Sequence, residues 1–213
     1  MLITEKGGNA TSFFDHLKRQ AAQAARSAGS QAAQNLGQAA KQAMGGMGNK
    51  SYTVTLSQLP VSLAQLQAMP EASLQKPEHT AALTVAALCV YPIDKEASLE
   101  MLNYLQGPRG VTPYDKQFLA DRFRDKDYVP RSYFAGATPQ NNYEPSEPLT
   151  ITVFENPYSR GQDGYLTLHI RSGGADSPRQ IKLRNKPSTG QWFLWEQFLL
   201  SDIRQPVAND PWA

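Results

Sequence analysis

Residues 164–186 read GYLTLHIRSGGADSPRQIKLRNK. On either side of a short polar segment, apolar residues alternate with polar ones: Leu166, Leu168 and Ile170 before it, Ile181 and Leu183 after it. A period of two belongs to a strand with one buried face. The connection is too short to carry a crossover helix, so the two strands must run antiparallel. "LTITVFE" (149–155) upstream and "GQWFLWEQF" (190–198) downstream extend the pattern, separated by Gly, Pro, Asn and Ser turns, and "SYTVTL" (51–56) alternates Tyr52, Val54 and Leu56 against threonines.

Between the first strand and the other four the period is helical. "HTAALTVAALCVY" (79–91) is apolar nearly all round, as in a helix buried on most of its surface. Asp94 can cap "KEASLEMLNYLQ", which ends at Gly107 and Pro108, and Thr112, Pro113 and Asp115 form a capping signature for "PYDKQFLADRFRD". Ser62 and Gln65 open a further short helix before Pro70. The fold class is α+β: a three-helix segment packed on a four- to five-stranded antiparallel sheet, an order shared by NTF2-like and cystatin-like folds as a topological analogy.

Residues 1–49 differ in composition. Ala21, Ala25, Ala28, Ala32, Leu36, Ala39 and Ala43 lie on one helical face, but alanine buries little area and Gly29 and Gly37 weaken the helix. This Ala/Gln-rich arm needs a partner to be stable, and the glycines of "GGMGN" (45–49) separate it from one globular domain over 50–213.

"RSGGADSPR" (171–179) admits two readings. As a site, Gly173 and Gly174 would present backbone N–H groups to an anion, with Arg171 and Arg179 beside them and Ser177 as ligand or nucleophile. As a turn, the glycines would supply positive φ, Asp176 an Asx turn, and Pro178 the start of the next strand. The composition favours the turn, since a nucleophilic serine calls for a strand-to-helix elbow. The long segment 127–148 offers Arg131, Tyr133 and Asn142 as binding residues, or as packing that staples an irregular loop across the sheet. In "GQWFLWEQF", strict alternation would put Trp192, Leu194 and Glu196 on one face and Phe193, Trp195 and Gln197 on the other. One tryptophan should then lie under the helices, and the other under the 127–148 loop or the "DPWA" tail, or be exposed.

Several chemistries are disfavoured. His16, His79 and His169 are scattered without metal-ligand spacing, Cys89 is a lone cysteine in the most apolar helix, and no Walker loop or dinucleotide fingerprint is present, so no metal or other cofactor is expected. Asp121, Asp125 and Asp127 alternate with basic residues as on a solvated helix face. A net charge of +2 gives no case for nucleic acid. With 40% hydrophobic residues, no 20-residue apolar run and no signal-like N-terminus, the chain reads as soluble and cytoplasmic.

The phrases "YDKQFLADRFRDKDYVPRSYFAGATPQNNYEPS", "IRSGGADSPR" and "KPSTGQWFLWEQFLLSDIRQPVANDPWA" together resemble an uncharacterised bacterial domain family, a domain of unknown function from anaerobic Gram-positive lineages. The resemblance runs from about Tyr52 to Ala213 and carries no activity or binding residues. The leading expectation is a non-enzymatic module for protein interaction or ligand holding, with residues 12–44 docking on an unknown protein partner or a second copy. Two alternatives stand beside it. An NTF2-like cavity could bring Asp121, Tyr133 and His169 together for metal-independent chemistry, or Phe13, Phe14 and Leu17 with the arm's lysines and arginines could touch a membrane surface.

Overall fold

The computed structural model describes residues 50–212; the arm expected over 1–49 lies outside the described residues. β1 (Ser51–Leu56) leads into α1 (Leu63–Gln67), α2 (Pro77–Val90), α3 (Lys95–Gln106) and α4 (Pro113–Arg122). A long connection with two 3-10 turns, Pro130–Tyr133 and Pro139–Asn141, then reaches β2 (Leu149–Phe154), β3 (Tyr165–Ile170), β4 (Arg179–Lys186) and β5 (Gln191–Gln197). The five strands form one antiparallel sheet in the order β1-β2-β3-β4-β5. The class is therefore α+β, with the three longer helices inserted between the edge strand β1 and the meander.

α2 runs across the inner face and touches every strand. Thr80 through Val90 are all buried, because the sheet lies beneath the helix while α3 and the turn at Pro130–Tyr133 cover it from outside. This enclosure explains the lack of a polar face. Three hydroxyls inside this enclosure are satisfied: that of Thr80 donates to the Trp192 carbonyl at 2.8 Å, that of Thr84 to the Thr80 carbonyl at 2.8 Å, and that of Ser98 to the Ala87 carbonyl at 2.8 Å.

Local capping places the helix ends. The Asp94 side chain accepts from the Ala97 N–H at 2.9 Å. At α4 the reciprocal box is complete, with Thr112 Oγ1 accepting from Asp115 N at 3.1 Å and Asp115 Oδ2 accepting from Thr112 N at 2.9 Å. α4 stops at Arg122, three residues before the end of its expected stretch, and Asp125 turns away with φ 58°.

The sheet departs from strict alternation at one point. Lys182 pairs with Glu196 and Leu183 with Leu194, which leaves Trp195 as the extra residue of a β-bulge. Trp192 and Leu194 share the inner face, and Trp192 packs against the core. The expected grouping fails beyond the bulge, where Glu196 pairs with outward-facing Lys182 and Gln197 with the buried Ile181. Trp195 is held on the outer face, neither under the 127–148 loop nor under the tail; its ring meets Tyr165 edge-on at 5.6 Å between centroids.

Candidate functional site

Within "RSGGADSPR", residues 171–178 join β3 to β4, which Arg179 opens, and the stretch also receives two other parts of the chain. Ser172 Oγ donates to Ser132 Oγ at 2.7 Å, Gly173 N–H to the Ser132 carbonyl at 2.9 Å, and Gly174 N–H to Ser172 Oγ at 3.0 Å. Both N–H groups of the candidate anion nest are thus used internally. Neither glycine has positive φ, contrary to the turn reading. They are needed for space: a Cβ on Gly173 would lie 1.9 Å from the Ala137 carbonyl oxygen, and one on Gly174 would lie 2.0 Å from the Tyr143 hydroxyl. Asp176 pairs with Arg204, and Ser177 accepts from Arg179 Nη1 at 3.0 Å. Arg179 also donates to the carbonyls of Ser201 and Asp202, whereas exposed Arg171 lies over the Phe154 ring at 5.5 Å.

Aromatic residues of the 127–148 segment complete this junction. The Tyr133 hydroxyl donates to the Leu199 carbonyl at 2.6 Å, and that of Tyr143 to the Arg204 carbonyl at 2.6 Å. Both phenols are held well above their ordinary pKa by burial, Tyr143 up to about 12. Arg131 is half-buried in the Pro130–Tyr133 turn, which packs on α2, and its charge acts on Cys89. Asn142 closes the following 3-10 turn in the left-handed region, φ 54°. Tyr133, Asp121 and His169 have separate partners: Leu199 for the first, Arg124 and Gln117 for the second, Asn156 for the third.

A different group of residues surrounds open space. Two cavities of about 400 and 540 Å³ adjoin where the end of α3 and α4 meet β5, and both are lined by Gln106, Arg109, Leu194 and Trp195. The smaller continues past Phe118 and Leu119 to Tyr114 and Phe198, which are 76% and 50% exposed. The larger opens towards Arg184, Lys186, Pro187 and Phe193. Gly107, at φ 57°, lets the chain leave α3 tightly against β5, since a Cβ there would stand 2.3 Å from the Phe193 ring. That turn sets Arg109 over Trp195, with its guanidinium 5.7 Å from the indole centroid, 3.3 Å from the Trp195 carbonyl and 3.3 Å from Asp115. Arg184 lies over the same indole at 5.3 Å.

Gln106 stands where the cavities meet. Its side chain projects from the last turn of α3, the residue is 8% exposed, and Oε1 is buried with no hydrogen-bond donor. Buried side-chain amides normally have partners. This groove, rather than the β3–β4 connection, therefore has unsatisfied hydrogen-bonding capacity.

The family model for a domain of unknown function, DUF6935, matches residues 58–207, well over half of the chain. The chain belongs to the DUF6935 family. Neither the comparison with curated proteins nor that with solved structures gives a match. All the groove residues of this DUF6935 chain fall inside the matched region, whereas β1 precedes it and still pairs with β2 over six residues.

Sequence reasoning missed Gln106, Arg109 and Arg184 as site residues of the DUF6935 domain. Each looks like an ordinary surface residue of a helix end, a turn or a strand, and only the packing of the α3 end against β5, with β4 beside it, brings the segments together. A second polar cluster lies beyond β2: Glu155 accepts from Arg160 Nε at 2.8 Å and from the Tyr52 hydroxyl at 2.8 Å, and its carboxyl is held below the usual range by the Arg160 hydrogen bond. Among the described residues no group of three or more His, Cys, Asp or Glu could hold a metal ion, and no helix is long and apolar enough to cross a membrane.

Proposed function

We propose that this DUF6935 protein is a non-catalytic module that holds a ligand in the groove between α3, α4 and β5. The observation that carries the reading is the buried Oε1 of Gln106, which lacks a donor at the junction of two cavities. An unpaired buried acceptor costs about 1–3 kcal/mol, and a ligand N–H or O–H would remove that cost. Trp195, Phe118 and the exposed rims at Tyr114 and Phe198 supply apolar contact beside it.

At Asp115 the chemistry supports binding rather than turnover. Asp115, in the smaller cavity, is committed to the Thr112 cap and to Arg109; its hydrogen bonds with Thr112 and the Arg109 charge outweigh partial burial and hold its carboxyl below the usual range. A general base needs the opposite adjustment. A cytoplasmic setting fits the one thiol, Cys89, whose pKa burial pushes up to about 12. Residues 12–44 serve in this reading as a docking segment for a protein partner or a second copy.

The test is a fragment screen on the ¹⁵N-labelled full-length protein, using small amides, amines, alcohols and heteroaromatics. The expected hits shift the Gln106 side-chain amide and the Trp195 indole N–H resonances together, and Trp195→Ala abolishes them. Hits confined to other surfaces, or none at all, would refute the reading.

A further inference from the structure

The larger cavity has a charge pattern that narrows the ligand. Arg109, Arg184 and Lys186 line it, and its lining contains no aspartate or glutamate. Arg109 is already engaged by Asp115, but among the described residues neither Arg184 nor Lys186 pairs with a carboxylate. Arg184 uses part of its five-donor fork on the Tyr165 hydroxyl and lies over two rings, which leaves N–H groups for an anion. Flat apolar surface from Phe193 and Trp195 stands beside these cations, and the Gln106 and Asn185 amides supply polar groups in the same space.

We propose that this cavity binds a nucleoside phosphate, with the phosphate on Arg184 and Lys186 and the base on the Gln106 side, beside the aromatic and guanidinium groups that line it. The inference rests on the groove reading and names its ligand. A glutamine amide combines an acceptor with a donor and so matches the paired donor and acceptor on a base edge such as that of adenine. A base N–H would provide the donor that Gln106 Oε1 lacks. Contact of the base with aromatic rings or guanidinium planes and charge-assisted bonds from arginine to phosphate are the general means of holding such a ligand. A volume of about 540 Å³ falls within the range of small-molecule sites.

An extended peptide suits the place less well. The open edge of β5 is covered, since Trp192 N–H donates to the Leu74 carbonyl at 2.8 Å and Arg109 takes the Trp195 carbonyl, so no added strand can pair there. Nor do three cations around one concavity make the track that a polynucleotide backbone requires.

Isothermal titration calorimetry on the full-length protein tests the proposal, with adenosine and guanosine monophosphates, adenosine, inorganic phosphate and an acetylated tetraglutamate as titrants. The expected result is saturable binding of a nucleoside monophosphate, at least about tenfold tighter than adenosine, phosphate or tetraglutamate. The double variant Arg184→Gln/Lys186→Gln should weaken it at least about tenfold, as should Gln106→Leu, without a lower melting temperature in the latter. Phosphate binding as tightly as the nucleotide, or tetraglutamate binding more tightly, would overturn the assignment. If no nucleotide binds while fragments still occupy the groove, the nucleotide assignment falls and the groove reading stands; if fragments fail as well, both fall.

Discussion

Arg179, the first residue of β4, donates from Nε to the carbonyl of Ser201 at 2.8 Å. Its Nη2 reaches the Asp202 carbonyl at 2.8 Å, so one side chain ties the segment after β5 to the end of the sheet. Hydrogen bonds from charged donors contribute about 1.5–3 kcal/mol. Arg179→Gln should therefore lower unfolding stability by about 2 kcal/mol in urea titrations. Arg171→Gln, which loses one exposed cation–π contact, should cost less than about 1 kcal/mol.

The two glycines of the same connection are set by contact. Adding a methyl group at Gly173 or Gly174 must displace the 137–143 loop or the chain near Ile203. Overpacking of this kind costs about 1–3 kcal/mol or more. Gly173→Ala and Gly174→Ala should each reduce the melting temperature clearly, while Ser177→Ala, an exposed hydroxyl bonded only within its own turn, should stay within about 1 kcal/mol of the parent.

β1 lies outside the matched family region but contributes buried Val54 and Leu56 to the core. Burying a side chain of this size contributes about 1.5–3 kcal/mol. A chain starting at residue 50 should keep a cooperative thermal transition close to that of the full protein. One starting at residue 58 should lose at least about 3 kcal/mol, with β2 left as a bare apolar edge. Equal stability of the two truncations would show that β1 is dispensable.

His169 gives the fold a pH dependence. Burial lowers its pKa from the ordinary 6.5, and the Asn156 amide nitrogen lies 3.2 Å from Nε2, a bond that requires that nitrogen to be unprotonated. The unfolded chain binds the proton more readily, so the stabilisation is complete above pH 6.5 and is lost as pH falls towards the folded value. The Glu155 contribution follows the same direction but acts only below about pH 4.5, its ordinary value. Melting temperatures measured between pH 7.5 and 5.5 should fall, and His169→Gln should flatten that slope.

Features written in adjacent residues were readable from sequence. The Thr112/Asp115 box, the Asp94 cap and the alternation in β1, β3 and β4 each depend on contacts a few residues apart. The all-round apolarity of α2 also implied its enclosure. What could not be read depends on distant pairings. The bulge at Trp195 is a mismatch in residue count between β4 and β5, which neither strand shows alone. The Tyr133 hydroxyl finds its acceptor 66 residues along the chain. "RSGGADSPR" drew notice because glycine, serine and arginine are common in sites, yet its glycine N–H groups serve as internal joints. Gln106 gave no signal, since a glutamine at a helix end is ordinary until its surroundings are known.

The claim that Gln106 faces a ligand rather than supporting the fold can be tested without knowing the ligand. The measurement is the unfolding free energy of Gln106→Leu against the parent, by urea titration of the full-length protein. Since Oε1 is buried without a donor, replacing it with an apolar group of similar size should leave stability unchanged or raise it by about 1 kcal/mol. A loss of more than about 1 kcal/mol would show that the amide is bonded within the fold, and would contradict the assignment of the groove.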